Sequence, residues 1–260
     1  MTPADPSGRA LNENDLHHVS RQSLKFLLED AIDMHDRHWQ IHWVLNFAQF
    51  SSTTNLNTII AEVKGEAGCF PCDIRDEERV KATVGEVLAR FGRIDGLVNN
   101  AALTTRSTLE TTDAAFFDRI MAINVRAPLL LVRAAMPHFR RQGGGAVVNI
   151  GSVNALGGER NLLAYSISKG ALLTMTRNLA DAHGPDRVRI NPLNVGWTLT
   201  ETERRVKREE GLADGWETRL PVAFAPFGRI FRPEEVAAHV VFWLSDAGGP
   251  VSGSVVELEQ

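Results

Sequence analysis

The chain has 260 residues and a formal net charge of −4 at pH 7. This length suits one α/β domain with a large core, since such domains commonly run to ~200–250 residues. The weakly acidic balance leaves no broad basic field, so we expect neither nucleic acid nor a membrane as partner and predict a small-molecule ligand.

The N-terminus and the cysteines bear on the compartment. Residues 1–16 lack the basic start and apolar stretch of a signal peptide, and no long apolar run follows them. Cys69 and Cys72 have no second Cys or His pair at metal-ligand spacing, which predicts buried strand thiols and no metal. We therefore expect a reduced, cytoplasmic protein.

Residues 1–55 differ in composition from the rest of the chain. No glycine lies between Gly8 and Gly65, although the chain holds 21. Residues 23–32 predict a helix, and His35, His38 and His42 follow it at i, i+3, i+7 spacing. Since no other feature of the sequence supports a metal, we predict no metal site at these histidines.

From residue 59 onward, helical and strand patterns alternate, which predicts βαβ units and a parallel sheet. The predicted strands are 68–72, 96–100, 146–150, 188–193 and 254–258. The predicted helices are 76–91, 114–141, 165–183 and 233–245, and the second of them continues or restarts at Asn124. Residues 198–227 are charged and irregular, and we expect this connection to cover a site.

Three residues on two of these elements point to proton transfer. Lys169 follows Tyr165, the one tyrosine of the chain, by four residues, and Ser152 ends a Gly-flanked apolar strand. Helical residues four apart share a face, so the ammonium could favour a phenolate whose ordinary pKa is about 10. A Tyr and a Lys at this spacing more often form a solvated helix face, but the serine on a different element favours a site.

These residues resemble the short-chain dehydrogenase/reductase family over residues 56–258. The matching positions are Asn99-Asn100-Ala101-Ala102 for the family's Asn-Asn-Ala-Gly, Asn124 for its helix asparagine, Ser152, Tyr165 and Lys169, and the tail from Pro226 to Asp246.

The resemblance implies a fold and an activity. The fold would be an α/β, three-layer, doubly wound parallel sheet of Rossmann type over residues 56–260, with residues 1–55 an anomalous segment that replaces the first βαβ unit. The activity would be that of an NAD(P)-dependent oxidoreductase that interconverts a secondary alcohol and a ketone of sugar, polyol or oxoacyl type by hydride transfer. A homo-oligomer, dimer or tetramer, is also implied.

The resemblance implies a role for each catalytic residue. Tyr165 would act as general acid or base, its pKa drawn down by Lys169 and the positive nicotinamide ring. Lys169 would also hold the ribose hydroxyls of the coenzyme. Ser152 would donate a hydrogen bond to the substrate oxygen, and Asn124 would position a water that links Lys169 to solvent.

Further coenzyme contacts are carried over from the family pattern. They are Asp73 and Ile74 near the adenine, Asn99 and Ala101 along the cleft, and Gly196, Thr198 and Thr200 at the nicotinamide end, besides Tyr165 and Lys169. Asp73 equally suits a helix cap, and Asn99 a side chain that joins neighbouring strands. Val195 and Thr198 stand where the family's Pro-Gly-x-Ile-x-Thr segment has proline and isoleucine.

One departure bears on coenzyme binding. The family's Gly-rich turn, Thr-Gly-x-x-x-Gly-x-Gly, lets backbone amides approach a pyrophosphate, and the glycine-free run occupies its place. A frameshift, misassigned start or mis-spliced segment would explain this replacement, and the residue that chooses between NAD and NADP is lost with it. The alternative is a non-catalytic relative or defective gene product that cannot bind a dinucleotide.

Overall fold

The computed structural model describes residues 43–46 and 70–259. Within them, five parallel strands form one sheet whose spatial order is the chain order. The strands are β1 Trp43–Asn46, β2 Gly96–Asn99, β3 Gly145–Ser152, β4 Val188–Val195 and β5 Val256–Leu258. Strand β1 pairs with β2, Trp43 opposite Gly96, so a parallel strand lies inside the segment that the sequence marks as anomalous.

Helices connect these strands. They are α1 Glu77–Phe91, α2 Ala114–Met121, α3 Ala127–Gln142, α4 Leu163–His183, α5 Glu201–Glu209 and α6 Pro233–Leu244. A π-helical turn, Ala122–Arg126, joins α2 to α3, so the predicted helix continues through Asn124 and does not restart. This continuous helix is long and apolar enough to span a membrane, but 61% of its most apolar window is buried inside the protein, as in a core helix.

The strands bury side chains on both faces of the sheet. Leu97, Val147 and Ile190 pack on one face against α1, α3 and α4. Val98 and Val148 pack on the other face against α6. Because successive strand residues point to opposite faces, near-continuous apolar strands are the expected pattern for a sheet covered on both sides. The predicted three-layer, doubly wound α/β fold is confirmed.

The predicted strand 68–72 is wrong in its described part. Residues 70–72 have no strand pairing among the described residues, and the chain turns immediately afterwards, where Asp76 N donates to Asp73 O at 3.0 Å. Phe70 and Cys72 pack against the core, and the Phe70 ring meets that of Phe91 edge to face. Because their apolar side chains fill the core, residues 70–72 have a strand-like sequence pattern, although they form no strand hydrogen bonds with the described residues. Cys69, the predicted helix 23–32 and the histidines at 35, 38 and 42 lie outside the described residues.

Candidate active site

The predicted catalytic residues converge at the carboxyl edge of the sheet. Ser152 is the last residue of β3, Tyr165 and Lys169 lie on the first two turns of α4, and Asn124 lies in the π-helical turn. Lys169 is 2% exposed and Asn124 1%. The carboxyl edge of a parallel sheet is where open α/β folds bind ligands, so the four residues occupy the expected place.

Asn124 fixes the loop that follows β2. Its Oδ1 accepts from Leu103 N at 2.7 Å, and its Nδ2 donates to Leu103 O at 2.9 Å and to Ser168 Oγ at 2.9 Å. Both amide hydrogens are thus used within the protein. The water that Asn124 is predicted to position stays a prediction, and the side chain could contact it only through the second lone pair of Oδ1.

Lys169 is a buried cation with spare hydrogen-bonding capacity. Its Nζ donates to Ile150 O at 2.6 Å and lies 5.6 Å from the centroid of the Tyr165 ring. Burial lowers the pKa of Lys169 to about 8, because removal from water disfavours the charged form. An ammonium has three N–H donors, and Ile150 O accepts from one of them. No described residue uses the other two, so they remain for a ligand or another group.

The pKa of Tyr165 in the protein alone is opposite in direction to the prediction. Burial raises it above its ordinary value of 10, and the hydrogen bond with Ser152 offsets this only in part. The Lys169 ammonium does not overcome desolvation at its distance from the ring. The phenol is therefore neutral at physiological pH in the protein alone, and the effect of a nicotinamide ring stays a prediction.

Ser152 is held in place by the residues around it. Its Oγ accepts from Asn154 N at 3.2 Å, which leaves its own hydrogen to donate, and in the protein alone Tyr165 is the group that receives it. A Cβ on the preceding residue, Gly151, would lie 2.1 Å from Asn194 Oδ1, so any larger residue there requires the Asn194 side chain to move. Asn194 is fully buried, and neither polar atom of its side chain has a hydrogen-bond partner among the described residues.

Asp73 and Asn99 were each open to two interpretations. The Asp73 carboxylate forms a two-pronged ion pair with the Arg75 guanidinium, which lowers its pKa, whereas Asp76 caps α1. A capping role for Asp73 is therefore wrong, and its contact with adenine stays a prediction. Asn99 Nδ2 donates to Asn149 Oδ1 at 2.7 Å on the neighbouring strand, so it does join β2 to β3.

The other predicted coenzyme residues have mainly structural contacts in the protein alone. Gly196 N donates to Leu258 O at 2.8 Å, and Thr198 Oγ1 donates to Gly196 O at 3.1 Å. Thr200 caps α5 by accepting from Glu203 N at 3.1 Å. Ile74 and Ala101 are buried. Their contacts with a coenzyme stay predictions.

Helix α5 lies across the edge of the sheet. Trp197, just after β4, donates from Nε1 to Glu203 Oε1 at 2.8 Å. Arg106, after β2, lies 3.4 Å from Glu210, and Lys207 bonds the same carboxylate at 2.6 Å. Helix α5 thus links the loops that follow β2 and β4, the two strands on either side of β3. This geometry agrees with the expected cover, and α5 itself was not predicted.

Sequence reasoning also missed Ser168. This fully buried residue precedes Lys169 and donates from Oγ to Tyr165 O at 2.6 Å while accepting from Asn124. The available signal was its position, three residues after Tyr165 and therefore on the face of α4 that carries Tyr165 and Lys169.

Comparison with known proteins places the chain among oxidoreductases. The family model described as enoyl-(acyl carrier protein) reductase matches residues 35–259. A probable galactose dehydrogenase of Rhizobium meliloti is 36% identical over 202 residues, which cover 77% of this chain and 77% of that protein. The structure of levodione reductase matches with a TM-score of 0.79 at 28% identity over 92% of each chain. That of NAD+-bound xylitol dehydrogenase has a TM-score of 0.75 at 24% identity, over 92% of this chain and 94% of that one, and shows the fold alone.

Proposed function

This chain belongs to the short-chain dehydrogenase/reductase family and is an alcohol/ketone oxidoreductase. We propose that NAD or NADP is its coenzyme and that a sugar, polyol or oxoacyl compound is its substrate. The observation that carries the proposal is the group of Ser152, Tyr165 and Lys169 beside the end of β3, in which Ser152 and Lys169 are buried and Tyr165 is half-buried.

The residues present fit the nicotinamide half of such a coenzyme. Lys169 has two donors that no described residue uses beyond its bond to Ile150 O, and a ribose offers two neighbouring hydroxyls that can accept them. A buried ammonium with unused donors is costly unless a ligand meets them. The bound nicotinamide would supply or accept the hydride. The Gly-rich turn that would hold the pyrophosphate has no counterpart in the sequence, so this fit concerns only the nicotinamide half.

The side chains of this protein would handle the proton. Ser152 can turn its one hydrogen from Tyr165 to a substrate oxygen when a substrate binds, and Tyr165 lies within hydrogen-bonding reach of Ser152. With its pKa raised by burial, the phenol is in the acid form that a carbonyl oxygen needs when it becomes a hydroxyl. In the opposite direction Tyr165 must first lose its proton, and the Lys169 ammonium then stabilises the phenolate.

The substrate class draws support from the relatives and from the cover over the site. The galactose dehydrogenase is named for a sugar and the levodione reductase for a ketone. Helix α5 and the residue after it bring polar groups, Glu203, Lys207 and Glu210, to the loops beside β3, and these suit a polar substrate better than a long apolar one.

The second candidate, a relative that binds no dinucleotide, is favoured by the glycine-free run where the family has its Gly-rich turn. Calorimetric titration with NADH and with NADPH separates the two. We expect submillimolar binding of at least one coenzyme, and its loss in K169A. A folded protein that binds neither would leave the non-catalytic relative as the function.

If a coenzyme binds, its oxidation or reduction at 340 nm with galactose, xylitol and cyclic diketones tests the substrate class. We expect turnover with galactose or xylitol. Turnover confined to apolar ketones, with none on sugars or polyols, would overturn the preference for a polar substrate.

A further inference from the structure

Ser168 connects three parts of the candidate site through one hydroxyl. Its Oγ accepts from Asn124 Nδ2 at 2.9 Å and donates to Tyr165 O at 2.6 Å. Asn124 in turn holds both backbone groups of Leu103. The loop after β2, the π-helical turn and the catalytic turn of α4 are thus joined in a single chain of hydrogen bonds.

The Ser168 hydroxyl forms two bonds that an apolar side chain cannot form. The group must accept from an amide and donate to a carbonyl at once, which alanine cannot do. Without it, one N–H of Asn124 would be left without a partner at a place that is 1% exposed, and buried donors without partners are strongly disfavoured. The Asn124 amide would then shift toward another acceptor, and the contact between the π-helical turn and α4 would loosen.

We propose that Ser168 is a positioning residue, which sets the Tyr165 ring against Ser152 and Lys169 by tying the catalytic turn of α4 to Asn124. Ser168 bonds the backbone carbonyl of Tyr165, the residue whose side chain must contact both Ser152 and Lys169. Displacements of about 1 Å in a reacting group can cost up to ~100-fold in rate, so one hydrogen bond at this place has leverage. The catalytic part of this inference rests on the proposed function.

The chain provides a direct readout that needs no coenzyme. Tyr165 is the only tyrosine, so the phenolate absorbance near 295 nm in an alkaline titration reports this one side chain. In S168A we expect the titration midpoint to rise above that of the wild type, because Tyr165 loses part of its hydrogen bond with Ser152, which lowers the pKa. Tryptophan fluorescence at each pH restricts the comparison to folded protein.

Two further variants isolate the hydroxyl. S168T keeps it and should restore the wild-type midpoint. S166A is the matched control, since Ser166 lies on the same helix, is 8% exposed, and has an Oγ without a hydrogen-bond partner among the described residues. It removes the same atom from the same helix. We expect the wild-type titration midpoint and a kcat within about twofold of wild type.

Turnover provides the second readout. We expect kcat of S168A to fall about tenfold while the coenzyme dissociation constant stays within about twofold, because proton transfer loses its geometry and the Lys169 donors remain. A folded S168A with the wild-type midpoint and kcat would overturn the proposal.

If S168A does not fold, S168C replaces the hydroxyl with a thiol of similar size that forms weaker hydrogen bonds. This variant must then show the same two changes, a raised midpoint and a lower kcat. The wild type could turn over no substrate while S168A still shows a raised titration midpoint. That result would support the positioning role and would count against the proposed function alone.

Discussion

Lys169 illustrates how burial sets the chemistry of a single residue. The ammonium keeps one carbonyl partner in place of bulk water, and its pKa falls from 10.5 to about 8. At pH 7 the residue is still mostly protonated, so it can hold hydroxyl groups and favour a phenolate. The cost of burying this charge appears as reduced stability at neutral pH.

That cost predicts a pH-dependent stability. Between pH 8 and 10 the folded state gives up the Lys169 proton while the unfolded chain keeps it up to about 10.5. The unfolded state then binds more protons, so the free energy of unfolding rises with pH, by about 2 to 3 kcal/mol. Urea unfolding at pH 7, 8, 9 and 10 should show this rise in the difference between wild type and K169M.

The exposed Lys81 provides the control for that measurement. It pairs with Glu77 and Glu78 on α1, and its pKa is raised from 10.5, above the tested range. The difference between wild type and K81M should therefore stay flat from pH 8 to 10. A flat difference for K169M as well would show that Lys169 is hydrated in solution.

Tyr165 bears the proton-transfer step. We expect Y165F to reduce kcat by about 100- to 10,000-fold, the usual contribution of general acid–base catalysis, with coenzyme binding little changed. Steady-state kinetics and calorimetric titration of the same preparation would measure both. Turnover close to wild type would mean that another group transfers the proton.

At the scale of elements, the sequence predicted those whose patterns reflect their packing. α1, α3, α4 and α6 were found because apolar residues face the core and glycines end α1 and α3. α5 was missed because it is nearly all charged, and its position depends on ion pairs with distant loops. Asn124 and Lys169 could be assigned from the family pattern, but the bonds of Ser168 and the raised pKa of Tyr165 depend on burial, which no local pattern records.

Arg189 ties strand β4 to helix α6. Its guanidinium donates to the carbonyl oxygens of Trp243, Leu244 and Ser245, at 2.8, 3.1 and 2.9 Å. These groups at the end of a helix have no partner within the helix, and hydrogen bonds from a charged donor are worth about 1.5–3 kcal/mol each in isolation.

We therefore expect R189M to reduce the free energy of unfolding by about 2 to 4 kcal/mol, since the three bonds share one side chain and do not add fully. Chemical denaturation measures this loss. R177M, which changes an exposed arginine of α4, should cost under about 0.5 kcal/mol. Equal losses in the two variants would mean that the cap contributes nothing.

At the scale of the whole molecule, we propose a homo-oligomer. Leu129 on α3 is 40% exposed and Ile167 on α4 is 44% exposed; α3 follows the turn of Asn124, and Ile167 lies between Tyr165 and Lys169. Large apolar side chains exposed on these two helices suit contact with a second copy of the chain.

Light scattering tests this proposal. We expect a dimer or tetramer for the wild type and a smaller species for the double variant L129E/I167E, because a buried glutamate without a partner opposes association. L109E changes an equally apolar but more exposed residue, 79% exposed on a loop, and should keep the wild-type mass. A monomeric wild type would refute the proposal.

The order of the strands has a consequence for chirality. Every neighbouring pair of strands is parallel, and each new strand is added on the same side of the one before it. Helices α3 and α4 nevertheless cover one face of the sheet and α6 covers the other. The crossover from β4 to β5 must then have the opposite hand to those from β2 to β3 and from β3 to β4. Because right-handed crossovers are strongly preferred, the last one is left-handed, and its disfavoured hand has to be offset by specific bonds. The bonds of Arg189 to the end of α6, together with Asn191 Nδ2 donating to Val251 O at 2.9 Å, fasten the last part of that crossover to β4.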